Sequence, residues 1–424
     1  MRTRINALFE KKNMDKNFVL LLCIGGLYAL GIFLSNTFVN VYMWKNSQSY
    51  VVLGIFNLAI YLFQPIAFML AGKLAKKIDR VKVLRTGIVF LSLFFLAVLF
   101  IGEKAPGFSF ILGSVLGVGY GFYWLAYNVL TFEITEPENR DFFNGSHGIL
   151  ESFAGMAGPL IAGEAISRLN AFSGYTAIFI ASFFLFILAI ATSFFLKGRK
   201  AEGQFLFGKV VEERRYNRKW RAILNAHFLQ GLREGIYLFV ISIWVYLVTK
   251  SELSLGWFNV ILSGMSLVVY FCAARWITPQ RRKKAILIGG IILFGSIFVI
   301  VNPFNTAHIY MYALLIGIGY PLLRIPYISL TYDVIGQARR AGELRIEYIV
   351  VRELYVNIGR IVSISLFIPV VYLLSPEKAI PYLLVIFGSG HLLIYFAIRK
   401  IKVGTIPGSR AKARGGMALD EKNR

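Results

Sequence analysis

Residues 117–134, GVGYGFYWLAYNVLTFEI, have a counterpart at 317–334, GIGYPLLRIPYISLTYDV, displaced by 200 positions. Gly117, Gly119, Tyr120, Tyr127, Leu130 and Thr131 recur as Gly317, Gly319, Tyr320, Tyr327, Leu330 and Thr331, while Glu133 becomes Asp333. Upstream, Gly54-Ile55-Phe56-Asn57 reappears as Gly256-Trp257-Phe258-Asn259, and a basic loop followed by Gly87 reappears before Gly289, both displaced by 202. A near-constant displacement over separated segments predicts a duplicated chain with two homologous halves.

The segments that repeat are apolar, and so is most of the chain. Its 424 residues are 57% hydrophobic and 16% charged, with a mean hydropathy of +0.64, a composition foreign to soluble globular domains. Crossing a bilayer core takes roughly 20 apolar residues in a helix. Runs of that length predict spans at 18–42, 51–75, 82–101, 109–133, 143–167, 174–196, 223–248, 256–277, 285–302, 309–334, 348–373 and 379–398. The fold class expected is an all-α polytopic membrane protein with twelve transmembrane helices in two pseudo-symmetric six-helix bundles. The halves are residues 1–197 and 223–400, joined by a linker at 198–222 and followed by a polar, Gly-rich, disordered tail at 401–424. The linker is basic and partly amphipathic (KGRKAEGQFLFGKVVEERRYNRKWR from Lys197), which suits a membrane surface.

A formal net charge of +24 raises the question of nucleic acid, and its distribution answers it. Of the 46 Lys and Arg, 37 fall on the N-terminus, the even-numbered connections with their flanking turns, and the tail. The other face has five, Lys45, Lys104, Arg168, Lys250 and Lys378, and the remaining four lie inside spans. This asymmetry predicts both termini in the cytoplasm of a cell whose plasma membrane the chain spans, with some attraction to anionic lipid and no nucleic-acid partner. The first span is too long for a signal peptide and is retained. Cys23 and Cys272 sit in different spans without pairing or metal spacing, so neither disulfide nor metal chemistry is expected.

Residues 72–84, GKLAKKIDRVKVL, resemble the loop between helices 2 and 3 of the major facilitator superfamily, with Gly72 and Arg80 in place, Lys76 where that family has Asp, and Asp79 where it has Gly. The fifth span, with Gly145, Gly158-Pro159 and Gly163, is similar to the family's antiporter pattern, with Ala154 and Ala162 at two positions where Gly is common. The chain is also similar to a bacterial branch of that superfamily, the YQGE family. The resemblance implies a parallel repeat of six helices, alternating access to a midplane site, and a gate closed by Gly72, Lys76, Asp79, Arg80, Glu133 and Asp333, with bending at Gly158 and Pro159. It also implies exchange transport.

Charges inside a membrane are costly and tend to face a cavity or a partner. The eleventh span has Arg352, Glu353, Asn357 and Arg360, of which the last three share one face by i, i+4, i+7 spacing. The seventh has Arg233 and Glu234, the tenth Arg324 opposite Trp124 in the repeat, and the fifth Glu151, whose repeat partner is Glu353. Four Arg against three Glu favour an anionic ligand, since Arg offers a planar fork to carboxylate or phosphate. Arg233, Glu234, Arg352 and Glu353 pairing among themselves to hold two helices together is the competing reading. Glu151, Glu353 and Glu234 are the candidate proton carriers, Glu151 first because no Arg is adjacent to it in sequence. Trp124, Tyr127 and Tyr327 join Arg233, Arg324, Arg352, Asn357 and Arg360 as candidate substrate contacts.

Nucleotide-binding, metalloprotease and nucleophile-elbow motifs are lacking, so the energy source expected is a gradient and not an enzymatic reaction. A monomeric secondary transporter of a small, anionic or amphiphilic solute, with proton or another ion as co-substrate, follows. A flippase for a lipid-linked precursor and a non-transporting sensor on the same scaffold are the alternatives.

Overall fold

A computed structural model describes residues 15–135, 137–169, 171–198, 203–301 and 305–401. The tail from 402 onward, the first fourteen residues and part of the linker, 199–202, lie outside them. The helices are α1 (Lys16–Ser47), α2 (Tyr50–Ala75), α3 (Arg80–Ile101), α4 (Ser109–Ile134), α5 (Pro137–Arg168), α6 (Ala171–Ser193), α7 (Phe207–Tyr216), α8 (Arg218–Thr249), α9 (Glu252–Trp276), α10 (Arg282–Gly295), α11 (Ile297–Val301), α12 (Thr306–Gly336), α13 (Arg345–Leu373) and α14 (Pro376–Ile398).

Among the described residues, eleven helical stretches are long and apolar enough to cross a membrane. One of them, Arg80–Ile134, has 55 residues and doubles back through a 3-10 turn at Gly102–Phe108, where Gly102 has φ +58°. The two arms are antiparallel: a Cβ on Gly87 would lie 2.3 Å from the Tyr123 nitrogen, and one on Gly119 would lie 2.8 Å from Leu91. The chain therefore crosses twelve times, α1–α6 in one bundle and α8–α14 in the other, with α10 and α11 forming one crossing interrupted at Ser296. Most helices run a few residues past their predicted ends, because Ser, Asp and Asn caps at Asp15, Ser49, Asp79, Asn217 and Ser251 set their starts.

The duplication reaches into individual contacts. A Cβ on Gly289 would lie 2.7 Å from the Leu323 nitrogen as one on Gly87 would from that of Tyr123, and a Cβ on Gly317 would lie 2.8 Å from the Leu262 carbonyl as one on Gly117 would lie 2.4 Å from that of Ile60. No side chain larger than hydrogen fits at these crossings. The turns into α2 and α9 also match: Gln48 and Lys250 both have φ of 50°, and Ser49 and Ser251 then cap the next helix through their hydroxyls.

The outer surface is apolar. Phe100, Phe184, Phe194, Phe195, Phe271, Leu373 and Tyr382 are among its most exposed side chains, an arrangement stable only with lipid as solvent. The bundles meet along two antiparallel seams, α2 against α13 and α5 against α9. On the first, positions Gly54 and Gly72 abut Ile368 and Val350. On the second, Gly155 abuts Ser263 and Gly163 abuts the Glu252 carbonyl. Gly158 instead accommodates the backbone of Phe33 and Leu34 on α1, and the Pro159 carbonyl faces Gly256.

Candidate transport site

Glycines bring α8 and α13 together: Cβ atoms on Gly231 and Gly359 would lie 2.0 Å and 2.2 Å from the facing carbonyls of Val356 and Phe228. At that spacing Glu234 and Arg360 meet across the interface. Glu234 Oε2 accepts from Arg360 Nη2 at 2.5 Å and Nε at 3.2 Å, and its Oε1 accepts from Gln230 Nε2 at 2.9 Å. Arg360 also donates to Asn357 Oδ1 at 3.4 Å and lies 4.8 Å from the ring of Tyr61, a residue of the other bundle. Polar contacts continue from Gln230 to His227 Nδ1 at 3.1 Å, and from His227 Nε2 to Thr331 Oγ1 at 3.3 Å.

The competing reading, in which Arg233 and Glu234 pair with each other, does not hold for this geometry. They are neighbours on α8, but Glu234 turns to Arg360, and the Arg233 guanidinium lies 4.3 Å from the Tyr237 ring with its Nε unpartnered. Arg352 and Glu353 do pair, side by side on α13, so they do not bridge to α8. Asn357 is fully buried and donates to the Glu353 carbonyl at 2.9 Å.

Arg324 is exposed although it sits inside a crossing, and no described residue forms an ion pair with it. The Tyr320 ring lies 5.5 Å from its guanidinium, and the charges of Glu151 in one bundle and Glu234 in the other both act on it. The amino-terminal bundle holds a cluster of rings: Tyr28 stacks on Tyr123 at 3.8 Å and meets Trp124 at 5.3 Å, and Trp124 meets Tyr127 at 6.1 Å. Glu151 is half-exposed, with His147 Nδ1 3.9 Å away. The repeat-related hydroxyls of Tyr127 and Tyr327 are both buried without a hydrogen-bond partner.

Ion pairs join the bundles at both ends. At the end bearing the described termini, Lys76 Nζ lies 2.5 Å from Glu347 Oε1 and donates to the carbonyls of Gln204 at 3.2 Å and Glu343 at 3.1 Å. Leu206 of the linker donates its backbone N–H to the same Glu347 oxygen at 3.0 Å. Within each bundle a repeat-related pair stands behind this contact, Arg80–Glu133 at 2.8 Å and Arg282–Asp333 at 2.5 Å. Asp79 accepts from the Val81 nitrogen at 2.8 Å and so caps α3. Arg345 stacks on Phe132 across the interface at 3.5 Å. A cavity of about 620 Å³, lined by Lys76, Arg80, Glu133, Gln204 and Arg345 among others, opens here. At the opposite end Lys45 pairs with Glu252, which also accepts from the Tyr175 hydroxyl at 3.1 Å.

Residues 20–364 match the family profile described as Major Facilitator Superfamily. The chain belongs to this superfamily. Superfamily relatives include "Uncharacterized protein YqgE" of Bacillus subtilis (strain 168), 55% identical over 400 residues, 94% of this chain and 93% of that one. "Uncharacterized protein in sodM 3'region" of Geobacillus stearothermophilus is 51% identical over 206 residues, 47% of this chain and 96% of that one. Among solved structures the fold is similar to the E. coli fucose:proton symporter FucP (N162A), with a TM-score of 0.63 and 14% identity, covering 90% of this chain and 97% of that one. The chain is accordingly a multi-pass membrane protein of a transporter superfamily.

Three features of the site escaped the sequence reading. Glu347 lay in what looked like a loop, Lys45–Glu252 joins residues 207 positions apart, and His391, wholly enclosed on α14, was passed over. The signal for His391 was present: a titratable ring at the middle of an apolar span obeys the same rule that singled out the Arg and Glu residues.

Proposed function

We propose that this protein is a secondary active transporter that carries a small anionic or amphiphilic solute across the plasma membrane by alternating access, with proton as the coupling ion. The observation that carries this reading is Arg324, an exposed cation inside a crossing with which no described residue forms an ion pair. A guanidinium inside a span suits a carboxylate or phosphate, and the Tyr28, Trp124 and Tyr127 cluster of the other bundle suits an apolar body. Glu151, half-exposed beside His147, Glu353 and Glu234 supply carboxylates for protonation. With the basic end in the cytoplasm, Lys76–Glu347 closes the cytoplasmic gate and Lys45–Glu252 the outer one. The loop between α2 and α3 keeps the superfamily's gating role with its charge reversed, Lys76 supplying the cation and α13 the acid. The two units that rock are residues 1–197 and 223–400.

Proteoliposomes with a pH-sensitive dye inside, challenged with pools of carboxylates and phosphate esters, test it. Wild type should move protons with at least one pool, and the direction relative to the solute separates co-transport from exchange. Arg324→Gln should remove that flux and Arg324→Lys retain part of it. Equal flux in Arg324→Gln and wild type would overturn the assignment.

A further inference from the structure

His391 is 0% exposed, and neither of its ring nitrogens has a hydrogen-bond partner. A neutral imidazole carries one donor and one acceptor, and leaving a buried polar group unmade costs about 1–3 kcal/mol. A residue kept at that expense in a span of otherwise apolar character asks for a role.

The surroundings supply one. Next to it, a Cβ on Gly390 would stand 2.4 Å from the Leu229 carbonyl and 3.6 Å from the Arg233 Cβ, so α14 lies directly on α8. The charges of Arg233 and Glu234 both reach the His391 ring. From α12, Tyr320 lies 6.0 Å away ring to ring, with Arg324 on that same tyrosine. From α13, Arg360 is present through its bond to Glu234. On α10 the approach is made by Gly290, which meets only the His391 carbonyl and Leu392. Arg233 thus stands beside the ring as its cation, while Glu234, the acid, is already engaged by Arg360 and Gln230. A positive charge on the ring would add to that of Arg233, and one added negative charge beside it would offset that cation.

We propose that His391 is a further proton-accepting group of this transporter, neutral while Arg233 stands beside it and Glu234 is held by Arg360, and protonated when an anion joins them. The arrival of solute and of proton then become one event, through charge alone. The proposal rests on the reading of the central site as anion-binding for its physiological trigger, but the switch itself belongs to His391 and Arg233.

Full-length protein in nanodiscs, labelled with 15N at its four histidines, reports the protonation of each ring; the His391 signal is the one that His391→Gln removes. Wild type without added anion should show a neutral His391 at pH 6. Arg233→Glu, which fixes a negative charge beside the ring, should show the doubly protonated form at the same pH, and Arg233→Gln should lie between them. A singly protonated His391 in both variants, or a doubly protonated one in wild type, would overturn the proposal. Lightly buffered wild type exposed to acetate, inorganic phosphate or citrate should take up about one proton per anion bound, and His391→Gln none; equal uptake by both would also overturn it. Should no probe anion bind wild type while Arg233→Glu carries the extra proton, the switch stands and the anionic reading of the solute fails.

Discussion

Replacing Lys76 tests the gate, because its geometry sets the size of the effect. Its ammonium and the Glu347 carboxylate are 10% and 0% exposed, and they tie together residues 271 positions apart in different bundles. Removing one partner of a buried pair costs about 3–5 kcal/mol, since the other charge stays enclosed without compensation. That cost falls on the conformation closed at this end, because only there are the partners in contact. At about 1.4 kcal/mol per tenfold, Lys76→Ala should shift the closed-to-open ratio by roughly two to three and a half decades. Glu347→Gln, which can still accept from Lys76 and from the Leu206 nitrogen, should shift it less. Spin labels on the exposed positions Ile78 and Arg340, with Cys23 and Cys272 replaced by Ser, would report the opening as a longer distance. The doubly exchanged Lys76→Glu, Glu347→Lys protein should recover part of the closed population. An unchanged distance distribution in Lys76→Ala would refute the reasoning.

Other outcomes follow from the same contacts. Glu234→Gln and Arg360→Gln should each lower thermal stability in detergent by more than the double replacement does, because each single change strands a buried charge; additive effects would sink the pair. Gly87→Val should abolish folded expression, given a Cβ only 2.3 Å from the Tyr123 backbone, whereas Gly145→Ala, which meets nothing within 4 Å, should express like wild type. Fluorescence size-exclusion chromatography separates the two results, and normal yields of Gly87→Val would contradict the antiparallel packing of α3 on α4.

The twelve crossings were legible because hydropathy, the offset of 200 to 202 and the charge asymmetry are each properties of the chain read in order. Pairing was less so. That Glu353, Asn357 and Arg360 share a face follows from helical spacing, but which acid Arg360 finds depends on how Gly231 and Gly359 let α8 settle against α13. Arg233 and Glu234 are adjacent in sequence yet Glu234 turns to Arg360, whereas Arg352 and Glu353, equally adjacent, pair with each other, so adjacency alone does not decide pairing. Lys76 looked like a broken motif position until α13 supplied Glu347, an acid whose usefulness depends on the linker that holds it.

The seam between α2 and α13 also behaves as a beam. Its contacts at Gly54 and Gly72 are 18 residues apart, about 27 Å at the helical rise of 1.5 Å per residue. Balanced at its middle, each arm is about 13 Å long, and a tilt of about 10° carries its tip through roughly 2 Å. Such a displacement is enough to part Lys76 from Glu347, which meet at 2.5 Å, yet it barely disturbs the apolar contacts near the fulcrum. At the far end Lys45 and Glu252 are paired in this same structure, so both locks are closed together and a tilt that parts one leaves the other in place. A leak through both at once would require bending a beam whose stiffness comes from the helices themselves.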